Sequence, residues 1–141
     1  MRKNLKPVIH QGRIIKDYFI SPHGTIYSNK RGKLKRLAIH QYKTQSLQYP
    51  HSTLMENGKS IVVRIHRILG EVFLKFPRPK HIPYKLWLKT PSIVKRELQK
   101  SYVIDHIDNN PSNYRLSNLR WVSAKENSVN YHTAQKHLKR K

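Results

Sequence analysis

Residues 102–127, YVIDHIDNNPSNYRLSNLRWVSAKEN, decide the fold of the C-terminal part of this chain. The segment begins with an apolar run that ends at the Asp-His pair 105–106, and a second apolar run covers residues 119–122. Between them, residues 108–113 contain the Asp, Asn, Pro and Ser residues that are typical of a tight turn. The S-x-x-E pattern at 123–126 is a capping box, which marks the N-terminus of a helix. The segment therefore predicts the order strand, loop, strand, helix.

Two oxygen-bearing side chains in this segment suit a hard divalent cation. Asp105 ends the first predicted strand, and Asn127 lies in the first turn of the predicted helix, which can pack back against that strand. A carboxylate and a neutral amide oxygen suit Mg²⁺, which usually keeps waters and substrate phosphate oxygens in its other positions. Three of the chain's seven acidic residues also fall within residues 105–127. We therefore expect one Mg²⁺ or Mn²⁺ ion per site, held by Asp105 and Asn127.

His106 is the candidate general base. Free imidazole has a pKa of about 6.5, and a strongly positive environment should favour its neutral, proton-accepting form. Beside a bound metal ion it would activate a water for hydrolysis of a phosphodiester. The alternative is that the Asp-His pair and the asparagines after it serve only as turn and capping residues in a structural domain. The capping box, the strand order, the acidic cluster and the basic remainder all favour catalysis.

The rest of the chain is strongly basic. The full chain carries 29 Lys and Arg residues against seven acidic ones, a formal net charge of +22. Such a charge calls for a polyanionic partner, and nucleic acid is the leading candidate. Five of the cations surround a glycine turn in residues 29–37, at the predicted tip of a sheet. The predicted DNA-binding residues are Lys30, Arg31, Lys33, Lys35, Arg36, Arg67 and Arg120.

Several other functional classes are disfavoured by composition. The chain has no cysteine, which excludes disulfide frameworks, thiolate zinc sites and cysteine nucleophiles. A structural metal site built on His132 and His137 is a weaker alternative, because further ligands are absent from the pattern. No apolar run approaches the roughly 18 residues of a membrane span, and residues 1–13 lack the apolar region of a signal peptide. We therefore expect an intracellular protein, in the cytoplasm or nucleoid, or in the host-cell cytoplasm if it is phage-encoded.

The N-terminal part predicts a small β-rich lobe with one helix. Residues 18–28 alternate around a Pro-His-Gly turn and predict a hairpin. A second turn at 56–59 is followed by a β-branched strand at 60–65, and the apolar spacing then changes to that of a helix near 66–76. His66 at the start of this helix is interpreted as a packed or capping residue and is given no catalytic role.

Residues 77–101 are predicted to be a Pro-rich basic linker with one short helix. Four prolines interrupt the segment, and its cations keep it basic. Thr90 is the predicted N-cap of the helix, with Pro91 in the first turn. The predicted apolar stripe consists of Ile93, Val94 and Leu98.

The C-terminal segment resembles the ββα-metal motif of HNH homing endonucleases. The resemblance rests on Asp-His-Ile-Asp-Asn-Asn-Pro-Ser-Asn from 105, Leu-Ser-Asn-Leu-Arg-Trp-Val from 116 and Lys-Glu-Asn from 125. It matches the variant of the motif whose final histidine is an asparagine. Residues 18–28 and 63–69 are also similar to the segment that precedes the motif in many such enzymes.

The resemblance implies a role for each motif residue. Asp105 and Asn127 would bind the metal, His106 would be the general base, and Asn118 would hold the connecting loop by hydrogen bonds so that His106 points correctly. The chain departs from the family pattern at Asn109, where glycine is usual, but asparagine tolerates the left-handed conformation that such a turn needs. Further departures are Tyr114, where a second asparagine is common, and the long insertion at 77–100.

The combined prediction is an α+β protein in four parts. These are an N-terminal DNA-binding lobe (1–76), the linker (77–101), the HNH motif (102–132) and a basic tail (133–141). The predicted activity is that of a metal-dependent DNA endonuclease of the nicking or homing type, acting on double-stranded DNA. We expect a monomer, which would nick one strand, with a dimer left open. The alternative function is a non-catalytic, basic nucleic-acid-binding protein.

Overall fold

The computed structural model describes residues 4–42 and 48–127. Helices and small antiparallel sheets are mixed along the chain, which confirms the predicted α+β class. In chain order the elements are β1 (Lys6–His10), β2 (Arg13–Ile20), β3 (Ile26–Ser28), a 3₁₀ turn (Lys30–Gly32), β4 (Lys35–Arg36), β5 (His51–Glu56), β6 (Lys59–Arg64), α1 (Ile65–Phe73), α2 (Tyr84–Lys89), α3 (Ser92–Gln99), β7 (Tyr102–His106), a second 3₁₀ turn (Leu116–Asn118) and β8 (Leu119–Ser123). A helical turn at 124–127 follows β8.

The first four strands form one antiparallel sheet in the order β1-β2-β3-β4. The hairpin predicted at 18–28 is present as β2 and β3, with Tyr18 paired to Ser28 and Ile20 to Ile26. Its turn contains Gly24 at a φ of +91°, a conformation in which a residue with a side chain is strained. The basic residues predicted to cluster at 30–36 lie exposed in the 3₁₀ turn and in β4.

The sequence did not predict the first hairpin, between β1 and β2. Its turn places Gln11 and Gly12 in the left-handed region, with φ values of +52° and +78°. Within β2, Asp17 also has a positive φ, of +70°, and the pairing with β1 shifts register there. This irregularity lets Ile15 and Tyr18 both face the core, although they are three residues apart. The strand therefore lacks the strict period of two by which strands are recognised in a sequence.

Strands β5 and β6 form a two-stranded ribbon that continues directly into α1. The predicted turn is present, with Asn57 and Gly58 at positive φ. The backbone N–H of Ile65 donates to the carbonyl of Pro50 at 3.0 Å, which starts the helix beside β5. Helix α1 ends at Phe73, three residues before the predicted end. Leu74 is extended, and its carbonyl accepts a hydrogen bond from the Trp121 indole at 3.2 Å, so the chain leaves the helix to contact β8.

Helix α1 joins the N-terminal sheets to the β7-β8 ribbon. At Gly70 a Cβ atom would lie 2.2 Å from Cδ1 of Ile104, so only glycine permits this close approach of helix and strand. Ile104 and Leu119 belong to the same buried cluster as Val8 and Ile20 from the first sheet. The two units predicted from the sequence therefore share one hydrophobic core.

The segment at 77–101 contains two helices, α2 and α3, where the sequence predicted one. The assignment of Thr90 as an N-cap was wrong. Thr90 follows the last residue of α2, and its hydroxyl donates to the carbonyl of Leu86 within that helix. Pro91 then precedes α3. Ile93 and Val94 are 66% and 44% exposed, so the predicted apolar stripe is not buried against the core. No helix within the described ranges is long and apolar enough to cross a membrane.

Candidate active site

Asp105 and His106 end strand β7 and are both buried, with 9% and 5% of their surfaces exposed. Successive residues of a strand point to opposite faces. His106 therefore shares the face of Ile104, which packs on α1, whereas Asp105 shares the other face with its cross-strand partner Arg120. The two side chains thus stand side by side at the strand end in different surroundings.

The carboxylate of Asp105 is bound by Arg120. Both Nε and Nη2 of Arg120 donate to Oδ2, at 3.2 and 3.1 Å. The arginine side chain remains 46% exposed, so the pair is open to solvent on one side. Arg120 was predicted to bind DNA, but in this structure its guanidinium contacts the predicted metal ligand.

His106 lies in a pocket of aromatic rings. Its ring centroid is 4.4 Å from that of His66 and 5.7 Å from that of Tyr49, and the Tyr49 ring is nearly parallel to it at 23°. Nε2 of His106 is buried and has no hydrogen-bond partner among the described residues. A buried ring nitrogen without a partner is costly, so such an atom calls for a functional explanation.

The neutral form of His106 is favoured, as predicted, but for another reason. Burial lowers the pKa of His106, while the nearby carboxylates of Asp105 and Asp108 act in the opposite direction. The sequence prediction had assigned this effect to the positive charge of the chain. The ring is instead kept neutral by the loss of water around it.

His66 is packed, as predicted, but its position against His106 was not foreseen. The residue is 4% exposed, and its Nδ1 also lacks a partner within the described part of the chain. Burial, and then the proximity of His106, lowers the pKa of His66 to about 2. His66 is 40 residues from His106 in sequence, and no local pattern links the two positions. Only the packing of α1 on β7 brings them together.

The loop between β7 and β8 is held by side-chain hydrogen bonds centred on Asn118. Its Nδ2 donates to Asp108 Oδ1 at 2.9 Å and to the Asn113 carbonyl at 2.8 Å, and its Oδ1 accepts from the Asp108 N–H at 3.2 Å. The carbonyl of Asn118 also accepts from the N–H of Ile107, next to His106. These contacts tie Asn118 to the loop, and its supporting role towards His106 stays a prediction. Asn109 has a φ of +60°, as its place in the turn required.

Asp108 is fixed in the same loop. Its carboxylate accepts hydrogen bonds from Asn113, from the Asn110 backbone and from Asn118, and these bonds lower the pKa of Asp108. The residue therefore acts as a turn residue, in agreement with its position in the sequence pattern.

The segment that contains these residues resembles a known family of nucleases. Residues 97–129 match the family model described as HNH endonuclease. The resemblance predicted from the sequence is thereby confirmed.

Two relatives extend the similarity beyond the HNH motif. The H-N-H endonuclease F-TflII of Escherichia phage T5 is 30% identical over 113 residues, which are 80% of this chain and 46% of that protein. A solved structure of the HNH homing endonuclease I-HmuI, described as binding and cleaving DNA, superposes with a TM-score of 0.55 and 25% identity. That match covers 85% of this chain and 54% of the solved chain. The chain thus spans about half the length of the relatives it matches.

Asn127, the second predicted metal ligand, lies within the residues that match the HNH model. It lies half-buried on the helical turn at 124–127, as predicted. The N-terminus of this turn is capped by Ser123, whose hydroxyl accepts the Glu126 N–H at 3.1 Å, so the predicted capping contact is present. Among residues 4–42 and 48–127, no three His, Cys, Asp or Glu side chains group as metal ligands. The weaker alternative of a site at His132 and His137 lies outside the described residues.

The predicted DNA-contacting cations around the HNH motif differ in their surroundings. Those of the 3₁₀ turn and β4 are exposed to solvent. Arg67 on α1 is also exposed by surface area, but desolvation of part of its side chain, followed by the charge of Arg64, lowers the pKa of Arg67. A cleft of about 520 Å³ separates the β2-β3 turn from the HNH loop, and Arg115 and His23 are among the residues that line it.

Proposed function

We propose that this chain is a metal-dependent endonuclease that hydrolyses phosphodiester bonds in double-stranded DNA. The observation that carries the proposal is the position of His106 at the end of β7, in an HNH motif and beside the Asp105 carboxylate. The names of both relatives, an H-N-H endonuclease and an HNH homing endonuclease, support the same class of activity.

His106 acts as the general base in this proposal. Its pKa is lowered by burial, so the ring is neutral near pH 7 and able to accept a proton. It takes a proton from a water molecule, which then attacks the phosphorus atom as the bond to the leaving oxygen breaks. Asn118 contributes by holding the loop that follows His106, through its bonds to Asp108 and Asn113. It is a supporting residue and does not touch the reacting atoms.

Asp105 and Asn127 hold one divalent ion, Mg²⁺ or Mn²⁺. HNH endonucleases are generally dependent on such an ion. The donor set fits, because a carboxylate and an amide provide hard oxygen ligands. When bound, the ion neutralises charge on the scissile phosphate and stabilises the leaving oxygen.

The basic residues bind the DNA backbone. With a net charge of +22, the chain should bind DNA with a strong dependence on salt. The exposed cations at 30–36 are the main candidates, together with Arg67 and Arg120.

A monomer with one active site nicks one strand. The phage relative favours a location in the cytoplasm of a host cell.

A plasmid assay tests this function. Supercoiled plasmid is incubated with the protein in Mg²⁺, in Mn²⁺ and in EDTA, and the Asp105→Ala variant is run beside the wild type. We expect nicked circles with either metal, and none in EDTA or with the variant. If the protein retards the plasmid but leaves it supercoiled under every condition, it is a non-catalytic DNA-binding protein and the proposal is wrong.

A further inference from the structure

Three aromatic rings meet at the proposed general base. The centroid of Tyr49 lies 5.7 Å from that of His106 and 5.1 Å from that of His66, and the two histidine rings are 4.4 Å apart. Each ring therefore contacts the other two. Contacts at these distances restrict the rotation of a side chain that lies between them.

Both neighbours of His106 are themselves fixed by the fold. The guanidinium of Arg64 lies over the Tyr49 ring at 4.8 Å, and the carbonyl of Tyr49 is 2.9 Å from Nδ1 of His51. His66 is the second residue of α1 and follows the fully buried core residue Ile65. The Tyr49 and His66 rings are therefore fixed in place, and the His106 imidazole packs against both of them.

The burial of His66 has a cost that packing alone does not explain. Its Nδ1 lacks a hydrogen-bond partner within the described ranges, and an apolar side chain would fill the same space without that penalty. His66 also stays neutral at ordinary pH, because burial lowers its pKa to about 2. A neutral ring places no charge against His106 when that residue takes up a proton. Features that cost stability are commonly found at functional sites.

We propose that Tyr49 and His66 are positioning residues that hold the His106 imidazole in one rotamer, with one ring nitrogen directed at the attacking water. This inference rests on the proposed role of His106 as general base. Proton transfer depends steeply on geometry, and a misplacement of about 1 Å can cost about 100-fold in rate. A free His106 ring would populate several rotamers, of which only some are productive.

Matched variants separate this role from ordinary packing. Tyr49→Leu and His66→Leu remove each ring, whereas Tyr49→Phe and His66→Phe keep a ring of similar size. Tyr84→Leu is the control, since Tyr84 is 62% exposed on α2. We expect each Leu variant to lower kcat for plasmid nicking about 10- to 100-fold with KM unchanged. The Phe variants should restore kcat to within about threefold of the wild type.

A second measurement does not depend on cleavage. In the NMR spectrum, the ring signals of His106 should be single and sharp in the wild type and in both Phe variants. They should be broadened or doubled in the Leu variants, because the ring becomes free to change rotamer. A Leu variant that fails to fold, as judged by its thermal melt, is replaced by Met, which fills a similar volume without a ring.

The outcomes distinguish the two proposals. If the Leu variants keep both the kcat and the His106 signals of the wild type, the positioning role is overturned. It is also overturned if the Phe variants lose as much kcat as the Leu variants, since a ring would then not be what matters. If the wild-type protein itself never nicks DNA, the proposed function fails, while the NMR signals still show whether the two rings hold His106.

Discussion

The loop at 108–118 and the His106 pocket are neighbours in the HNH motif, but they are built in opposite ways. The loop is held mainly by exposed hydrogen bonds between residues no more than ten positions apart, with one long-range bond from the Gln41 amide to the Ser112 hydroxyl at 2.7 Å. The pocket is buried, and its rings come from positions 49, 66 and 106. Most of the bonds in the loop are local, whereas the pocket exists only when α1 packs on β7. The proposed base therefore depends on the whole N-terminal part of the chain.

The largest expected effect comes from separating α1 from β7. Gly70→Ala places a methyl group against Ile104, where overpacking costs about 3 kcal/mol, offset by about 1 kcal/mol of helix propensity. We expect the free energy of unfolding in urea to fall by about 2 kcal/mol, and the kcat for nicking to fall with it. Ile104→Ala in the same chain removes the clash, so the double variant should lose less stability than the sum of the two single variants. Strict additivity would show that this contact does not set the distance between helix and strand.

The loop itself is tested by Asn118→Ala. This substitution removes three hydrogen bonds, leaves Asp108 with fewer partners and should cost about 2 kcal/mol of stability. Asn110→Ala is the matched control, because the Asn110 side chain accepts one hydrogen bond, from the Ser112 N–H. The free energy of unfolding of both variants is measured by urea titration, and Asn118→Ala should lose more than Asn110→Ala. Equal losses would mean that Asn118 is one turn residue among several and not the centre of the loop.

Acid should destabilise the pocket more than the loop. The folded-state pKa of His66 is about 2, below the unfolded value of about 6.5, so between these values the unfolded chain binds a proton that the folded chain does not. Stability is therefore lost as the pH falls below about 6.5, by about 1.4 kcal/mol per pH unit for this group. The His66→Phe variant lacks the group and should lose about 2 kcal/mol less than the wild type between pH 7 and pH 5. Parallel losses of stability in the two proteins would contradict the neutral, buried state of His66.

The smallest expected effect lies in β4, which belongs to neither region. Arg36 is exposed and pairs with Tyr27, so the two residues share one face of the first sheet. Arg36→Gln should reduce the slope of log K against log salt for DNA binding by about 0.9, the value for one phosphate contact. Lys100→Gln is the control, because Lys100 pairs with Glu97 at 2.8 Å. The same slope for Arg36→Gln as for the wild type would remove Arg36 from the DNA-binding surface.

The contrast between loop and pocket also explains what the sequence could predict. The two strands of the HNH motif, the capping contact of Ser123 and the turn at Asn109 depend on neighbouring residues, and all three were predicted. Strand β2 was missed in part because the bulge at Asp17 breaks its alternation. Thr90 was misassigned because a threonine before Pro91 fits an N-cap as well as the end of the preceding helix.

In the candidate site, too, the residues of the local motif were predicted and the contacts that depend on tertiary packing were not. The HNH pattern pointed to Asp105, His106, Asn118 and Asn127, and the structure puts each on the expected strand end, loop or helical turn. The contact of His66 and Tyr49 with His106 could not be predicted, because it depends on the approach of α1 to β7 at Gly70. The pairing of Arg120 with Asp105 could have been predicted from the sequence, since the two residues are opposite each other in the predicted hairpin.

The most direct test of the account is the single-turnover nicking rate of His106→Ala, measured together with its affinity for the same DNA. The account predicts a rate lower by about 100- to 10,000-fold, the usual contribution of a general base, with an unchanged Kd and a thermal melt that still shows a cooperatively folded protein. A variant that binds DNA equally well and still nicks it within about threefold of the wild-type rate would contradict the assignment of His106 as the base.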